Sequence, residues 1–146
     1  MWFRPANVAD MDLERFVRAQ DEYRTYTQAV AELRAGRKTS HWMWFVFPQI
    51  AGLGRSGMAQ AYAIADLEEA RAYLRHPVLG PRLVECAEIV AEHQDRTAEQ
   101  IFGGIDAMKL RSSMTLFAAA DPDQPAYAAV LEQFFAGPDP ETLRRI

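Results

Sequence analysis

The chain has 146 residues, 49% of them hydrophobic and 25% charged, with a net charge of −4 and a pI near 5.4. That length fits one domain able to bury about 68 to 70% of its unfolded surface, and the balance of apolar and charged residues excludes wholesale disorder. The acidic balance argues against nucleic acid as a partner, no apolar run reaches the about 20 residues a membrane helix needs, and the lone Cys86 cannot form an internal disulfide.

No secretory signal pattern opens the chain, and with a single cysteine the expected location is the cytoplasm. Residues 1–11 read as an N-terminal arm, because Pro5 and Asn7 interrupt any period; residues 12–146 read as one helical domain. Asp10 or Asp12 can cap a first helix with Leu13, Phe16, Val17 and Gln20 on one face. A second helical stretch, separate or continuous with a bend, runs from Thr25 to a stop at Gly36. Arg34, Arg37 and Lys38 beyond it read as charge complementing a helix C-terminus.

The segment His41-Trp42-Met43-Trp44-Phe45-Val46-Phe47-Pro48-Gln49 is the richest in apolar surface. Its aromatic and β-branched content suits a buried strand, whereas a cap at Thr39 or Ser40 suits two turns of helix. Helix is expected, since a lone strand has no partner elsewhere in the chain. Ile50 to Gly57 is a glycine-rich loop, followed by a short helical pattern from Met58 to Ile64. Asp66 with Glu69 starts the next helix, which His76-Pro77 ends.

Pro81 sits in the first turn of a helix with Leu83, Cys86, Ala87 and Val90 inward and the acidic row Glu85, Glu88, Glu92 outward, a solvated face. Thr97-Ala98-Glu99-Gln100 is a capping-box pattern. A helix from Asp106 to Ala120, one carrying Tyr127, Val130, Leu131 and Phe134, and a last turn after Asp139-Pro140 complete the pass. The expected fold is all-α, a single irregular multihelical domain of about eight short helices.

Two constellations stand out. On the helix from Asp106, a rotation of about 100° per residue aligns Asp106, Lys109 and Ser113 at the border of the apolar face, where charges need partners or a ligand. An ion pair between Asp106 and Lys109 at i, i+3 is the plain structural reading. The second is the aromatic run and its loop: His41, Trp42, Trp44 and Gln49 offer flat faces and polar tips, and Gly54 and Ser56 offer close backbone approach and a phosphate seat at a helix start. Core aromatics are the plain reading here too. The loop matches neither a phosphate-binding nor a dinucleotide fingerprint, and no metal or Ser-His-Asp pattern is present, so no cofactor or metal is expected.

Ala19-Gln20-Asp21, Glu32-Leu33 with Gly36-Arg37-Lys38, the run His41 to Gln49, Gly52-Leu53-Gly54, Tyr62-Ala63-Ile64, His76-Pro77, Leu79-Gly80 with Arg82-Leu83, and Asp106 to Phe117 together resemble the bacterial domain-of-unknown-function family 1810. The resemblance spans about residues 12 to 135. It implies an all-helical fold and assigns no reaction. The label calpastatin attached to some members does not suit a composition that predicts a packed globule. A fainter similarity, in Ala-Gln of the first helix and the His-Pro, Leu-Gly-x-Arg segment, is to the helical NADAR-type N-glycosidases, which act on ribosylated small molecules.

Two functions follow as expectations. One is binding or processing of a small phosphorylated or ribosylated metabolite, with Asp106 and Lys109 as catalytic candidates and His41, Trp42, Trp44, Gln49, Gly54, Ser56 and Ser113 as ligand-binding candidates. The other is a protein-interaction or adaptor module that presents the His41 to Gln49 stretch. Outward tryptophans would favour the second, and a concave site gathering the polar tips the first.

Overall fold

A computed structural model describes residues 12–146, so the expected N-terminal arm lies outside the described residues. Ten α-helical segments and one 3-10 turn are present among them. In chain order these are α1 (Glu14–Asp21), the 3-10 turn Glu22–Arg24, α2 (Thr25–Ala35), α3 (Met43–Val46), α4 (Gly57–Ala61) and α5 (Leu67–Arg75). They continue with α6 (Leu79–Ala91), α7 (Ala98–Phe102), α8 (Gly104–Ala120), α9 (Pro125–Phe134) and α10 (Pro140–Arg145). The expected all-α fold is the observed one, in more and shorter pieces.

Local chemistry sets most boundaries. Asp66 accepts from the Glu69 N–H at 2.8 Å, Thr97 and Gln100 close a full capping box, and Gln124 and Asp139 cap helices whose first residue is proline. Gly36, at φ +75°, ends α2 as expected. α1 differs: Leu13 precedes it and no side chain caps it. α1 and α2 are separate helices because Tyr23 and Arg24 adopt consecutive left-handed conformations, φ 54° and 56°. Conformations of this kind cost non-glycine residues about 1–3 kcal/mol each and persist only where the surroundings hold them.

The aromatic run folds as one helical turn rather than two. Thr39 and Ser40 do not cap it. Their N–H groups, at 2.7 and 2.9 Å, and the Ser40 hydroxyl, at 2.5 Å, all donate to the Glu32 carboxylate, which also accepts from Trp42 Nε1 at 3.0 Å and Gln28 Nε2 at 2.9 Å. After Pro48 the chain extends, and Ile50 forms an isolated parallel bridge with Ile64. The strand-like character of the run is thus spent on one bridge at its end.

Trp42, Met43, Val46 and Phe47 are buried, and the Trp42 and Phe47 rings join a continuous core. Phe47 meets Phe102 edge-on, and Phe16, Tyr73, Phe117 and Tyr127 follow ring against ring across α1, α5, α8 and α9. α8 is the hub, touching α5, α7, α9 and α10, and its second half is buried nearly all round. α5 and α6 pack backbone to backbone at Gly80, where a Cβ would lie 2.1 Å from the Leu74 carbonyl oxygen. The Leu83, Cys86, Ala87 and Val90 stripe is buried as expected, and burial pushes the Cys86 thiol up to about 12.

Several polar side chains tie the helices to one another. Gln20 donates to the Phe45 carbonyl at 2.8 Å and accepts from Arg82 at 3.1 Å, tying α1 to α3 and α6. His93 Nε2 donates to the Leu33 carbonyl at 2.6 Å, and His76 Nδ1 accepts from the N–H groups of Val78 and Leu79 while Nε2 donates to Glu14.

Burial alone would raise the Glu32 pKa, but the hydrogen bonds from Ser40, Thr39 and Gln28 outweigh it and hold the carboxyl at about 2. A native value below the unfolded one contributes stability that is complete above about pH 4.5 and lost as pH falls toward 2. Glu32→Gln is expected to lower stability at neutral pH by about 3 kcal/mol and to flatten the acid limb of the stability curve, measured by urea unfolding between pH 2 and pH 7. An acid limb unchanged by the substitution would refute this role.

Candidate functional site

A groove of about 450 Å³ opens where the start of α8, the loop after α3, the end of α9 and the start of α10 meet. That volume lies in the range of small-molecule sites, about 300–1,000 Å³. Ile105, Met108 and Ser112, at i, i+3 and i+7 on α8, form one wall. Leu53 and Phe135 supply apolar surface, while Gln49, Lys109, Arg111, Glu99, Asp139 and Glu141 place polar groups around it.

Ile105 and Met108 are 75% and 72% exposed, unusual for large apolar side chains on a helix whose other end is buried nearly all round. The Gln49 amide borders the groove and makes no side-chain hydrogen bond among the described residues, although its backbone carbonyl accepts from Ile64. The polar groups on the α10 side are committed. Arg111 donates to the carbonyls of Gly137 and Pro138 at 2.9 and 3.0 Å, and Asp139 accepts from Ser112 and twice from Thr142.

Behind Lys109 lies a charge bridge. Asp106 pairs with Lys38 at 2.9 Å and with Lys109 at 3.3 Å, so two ammonium groups share one carboxylate and the cluster carries a local charge of +1. Lys38 lies over the Trp42 ring at 5.0 Å and Lys109 over the Trp44 ring at 5.2 Å. The i, i+3 pair expected between Asp106 and Lys109 is therefore present, extended by Lys38. The two tryptophans set the positions of the two lysines.

The candidates named from sequence divide accordingly. Lys109, Gln49 and Gly54 line the groove, and Trp44, half-buried, backs Lys109. Asp106 stands behind Lys109 and is not one of the groove's walls. Trp42 is in the core with its indole N–H on Glu32. His41 is exposed over a different hollow, beside Tyr23 and Arg24.

Ser56 caps the five-residue α4 by accepting from the Ala59 N–H at 3.1 Å and does not reach the groove. Ser113 is fully buried and its hydroxyl has no partner among the described residues. Gly54 is required by packing, since a Cβ there would lie 2.5 Å from that of Ala59. Sequence reasoning missed Lys38, which it read as a dipole-complementing charge, and the apolar pair Ile105 and Met108. The available signal was that this pair lies off the stripe of Leu110 and Phe117.

Among the described residues no group of three or more His, Cys, Asp or Glu is placed to hold a metal ion, and no helix is long and apolar enough to cross a membrane. No curated protein matches the chain. Its fold is similar to the crystal structure, at 1.38 Å, of the conserved hypothetical protein Rv1873 from Mycobacterium tuberculosis. The two share 51% identity and superpose with a TM-score of 0.89 over 92% of this chain and 96% of that one. Residues 10–146 match the model of a protein family of unknown function, and the chain belongs to that family, DUF1810.

Proposed function

We propose that the groove binds a small metabolite carrying an anionic group on a flat or apolar body, of the phosphorylated or ribosylated class. One observation carries the reading: Lys109 and the unpartnered Gln49 amide border the same hollow as the exposed Ile105 and Met108. The ligand's anionic end sits at Lys109, where the lysine pair exceeds its shared carboxylate by one positive charge. Its body covers Ile105 and Met108 against Leu53 and Phe135. Asp106 acts in this reading as a positioning residue that aims Lys109. Hydrolysis of an N-glycosidic bond would require that carboxylate to leave both lysines and face the groove, so the reading favours binding over cleavage.

A second reading, an interaction module, draws support from the same exposed pair but not from Trp42 and Trp44, which lie in the core and under Lys109. Met108→Glu separates the two. It abolishes a concentration-dependent dimer in sedimentation if the groove is an interface, whereas a monomer at all concentrations leaves the ligand reading.

In calorimetric titration against nucleoside monophosphates and the matching nucleosides, Lys109→Met is expected to weaken a phosphorylated ligand about tenfold and the nucleoside little. Equal weakening of both would remove the anionic end, and no binding by any member would remove the reading. A ligand at about 100 times its Kd should add about 2.7 kcal/mol of stability. Release of free base or ribose from ADP-ribosylated and riboflavin-pathway compounds, lost in Asp106→Ala, would establish processing.

Asp106→Asn leaves two ammonium groups facing one neutral amide. Stability is expected to fall by about 1–3 kcal/mol, with part restored by added sulfate, as read by thermal unfolding. A drop insensitive to sulfate would mean that charge is not what Asp106 contributes.

A further inference from the structure

At the opposite end of the α8–α9 hairpin from the groove lies a second hollow, of about 530 Å³, between the start of α6 and the α8–α9 turn. Its polar walls are Glu85, Glu88, Asp121 and Gln124, whose side-chain oxygen already accepts from the Ala126 N–H, and no lysine or arginine lines it. Arg82, the neighbouring cation on α6, is turned away: it pairs with Asp21 at 2.9 Å, donates to Gln20 and covers the Tyr26 ring. Glu85 accepts a hydrogen bond from Tyr26, while Glu88 has no ion pair or hydrogen-bond partner among the described residues.

The second observation is Tyr127. It is 1% exposed, yet it lines the hollow, and its hydroxyl makes no hydrogen bond among the described residues. The ring is buried while the hydroxyl oxygen still reaches the hollow, since Ser113 Oγ is the one fully enclosed side-chain oxygen left without a partner among the described residues, so the phenol is open to a ligand at this wall. Burial first, and then the charges of Asp121 and Glu88, raise its pKa, so it enters the hollow as a neutral hydroxyl close to both carboxylates.

We infer that this hollow binds a primary ammonium on an aliphatic stem, the chemistry shared by free diamines and lysine side chains. Glu88 and Asp121 take the ammonium charge, the Tyr127 oxygen accepts one of its protons, and the stem packs along Leu74 and Val84. A compact metal ion is the poorer match. The carboxylates are not gathered closely enough to ligate one ion, and half of the wall is hydrocarbon that such an ion cannot use. The acidic row read from sequence as a solvated face is, at Glu85 and Glu88, one side of this hollow.

The test is an NMR titration of the full chain with cadaverine, with the diol of the same chain length and magnesium chloride at matched ionic strength as controls. Saturable shifts confined to the amides around Glu88, Asp121 and Tyr127 are expected with the diamine alone. Glu88→Gln with Asp121→Asn should weaken the diamine about tenfold, and Tyr127→Phe about threefold. Glu88 lies on the exposed face of α6, so Glu88→Gln alone keeps the test open if the double variant unfolds. A blocked lysine peptide distinguishes the source: tighter binding than cadaverine identifies a protein side chain, weaker binding a free amine, and either upholds the ammonium. Equal shifts with the diol or with magnesium, or an affinity that Glu88→Gln leaves unchanged, overturn the inference. Its outcome is independent of the groove on the other end of the hairpin.

Discussion

The fold depends first on a single carboxylate. Glu32, near the end of α2, gathers donors from Gln28, Thr39, Ser40 and Trp42, and so converts a turn and an indole into one rigid unit. A buried charge is costly unless every lone pair is used, and here they nearly all are. Once Trp42 is fixed in this way, Phe47 follows it into the core against Phe102, and the chain leaves toward Ile50 in the direction that the bridge to Ile64 requires.

The candidate site is built on that anchor. Trp42 and Trp44 lie two residues apart and face different surroundings, and each carries a lysine over its ring. Asp106, from the first turn of α8, joins the two lysines and so links the aromatic segment electrostatically to the helix that every later element packs against. The groove and the acidic hollow are the two ends of the α8–α9 pair, one where apolar side chains are left outside and the other where a hydroxyl is left unmatched.

Much of the architecture could be read from the chain because its information is local. Thr97 with Gln100, Asp66, Asp139 before Pro140, and Gly36 act within four residues of themselves, and each marks a real boundary. The aromatic run was less legible. Thr39 and Ser40 have the chemistry of a helix cap, but a carboxylate seven and eight residues upstream competes for the same donors and wins with charge. The site was half legible for the same reason. The pairing of Asp106 with Lys109 is a matter of helical spacing, whereas Lys38 and Gln49 reach it only through tertiary packing, and nothing local distinguishes the inward Trp42 from the half-covered Trp44.

The left-handed pair Tyr23 and Arg24 has its own mechanical meaning. A hinge of two non-glycine residues held in this conformation works as a loaded spring between α1 and the remainder, restrained by the amide of Gln20 and the ring of Phe16. The seat of α1 is therefore set by packing and not by its connection: the strained link favours letting go, and the Gln20 and Phe16 contacts oppose it.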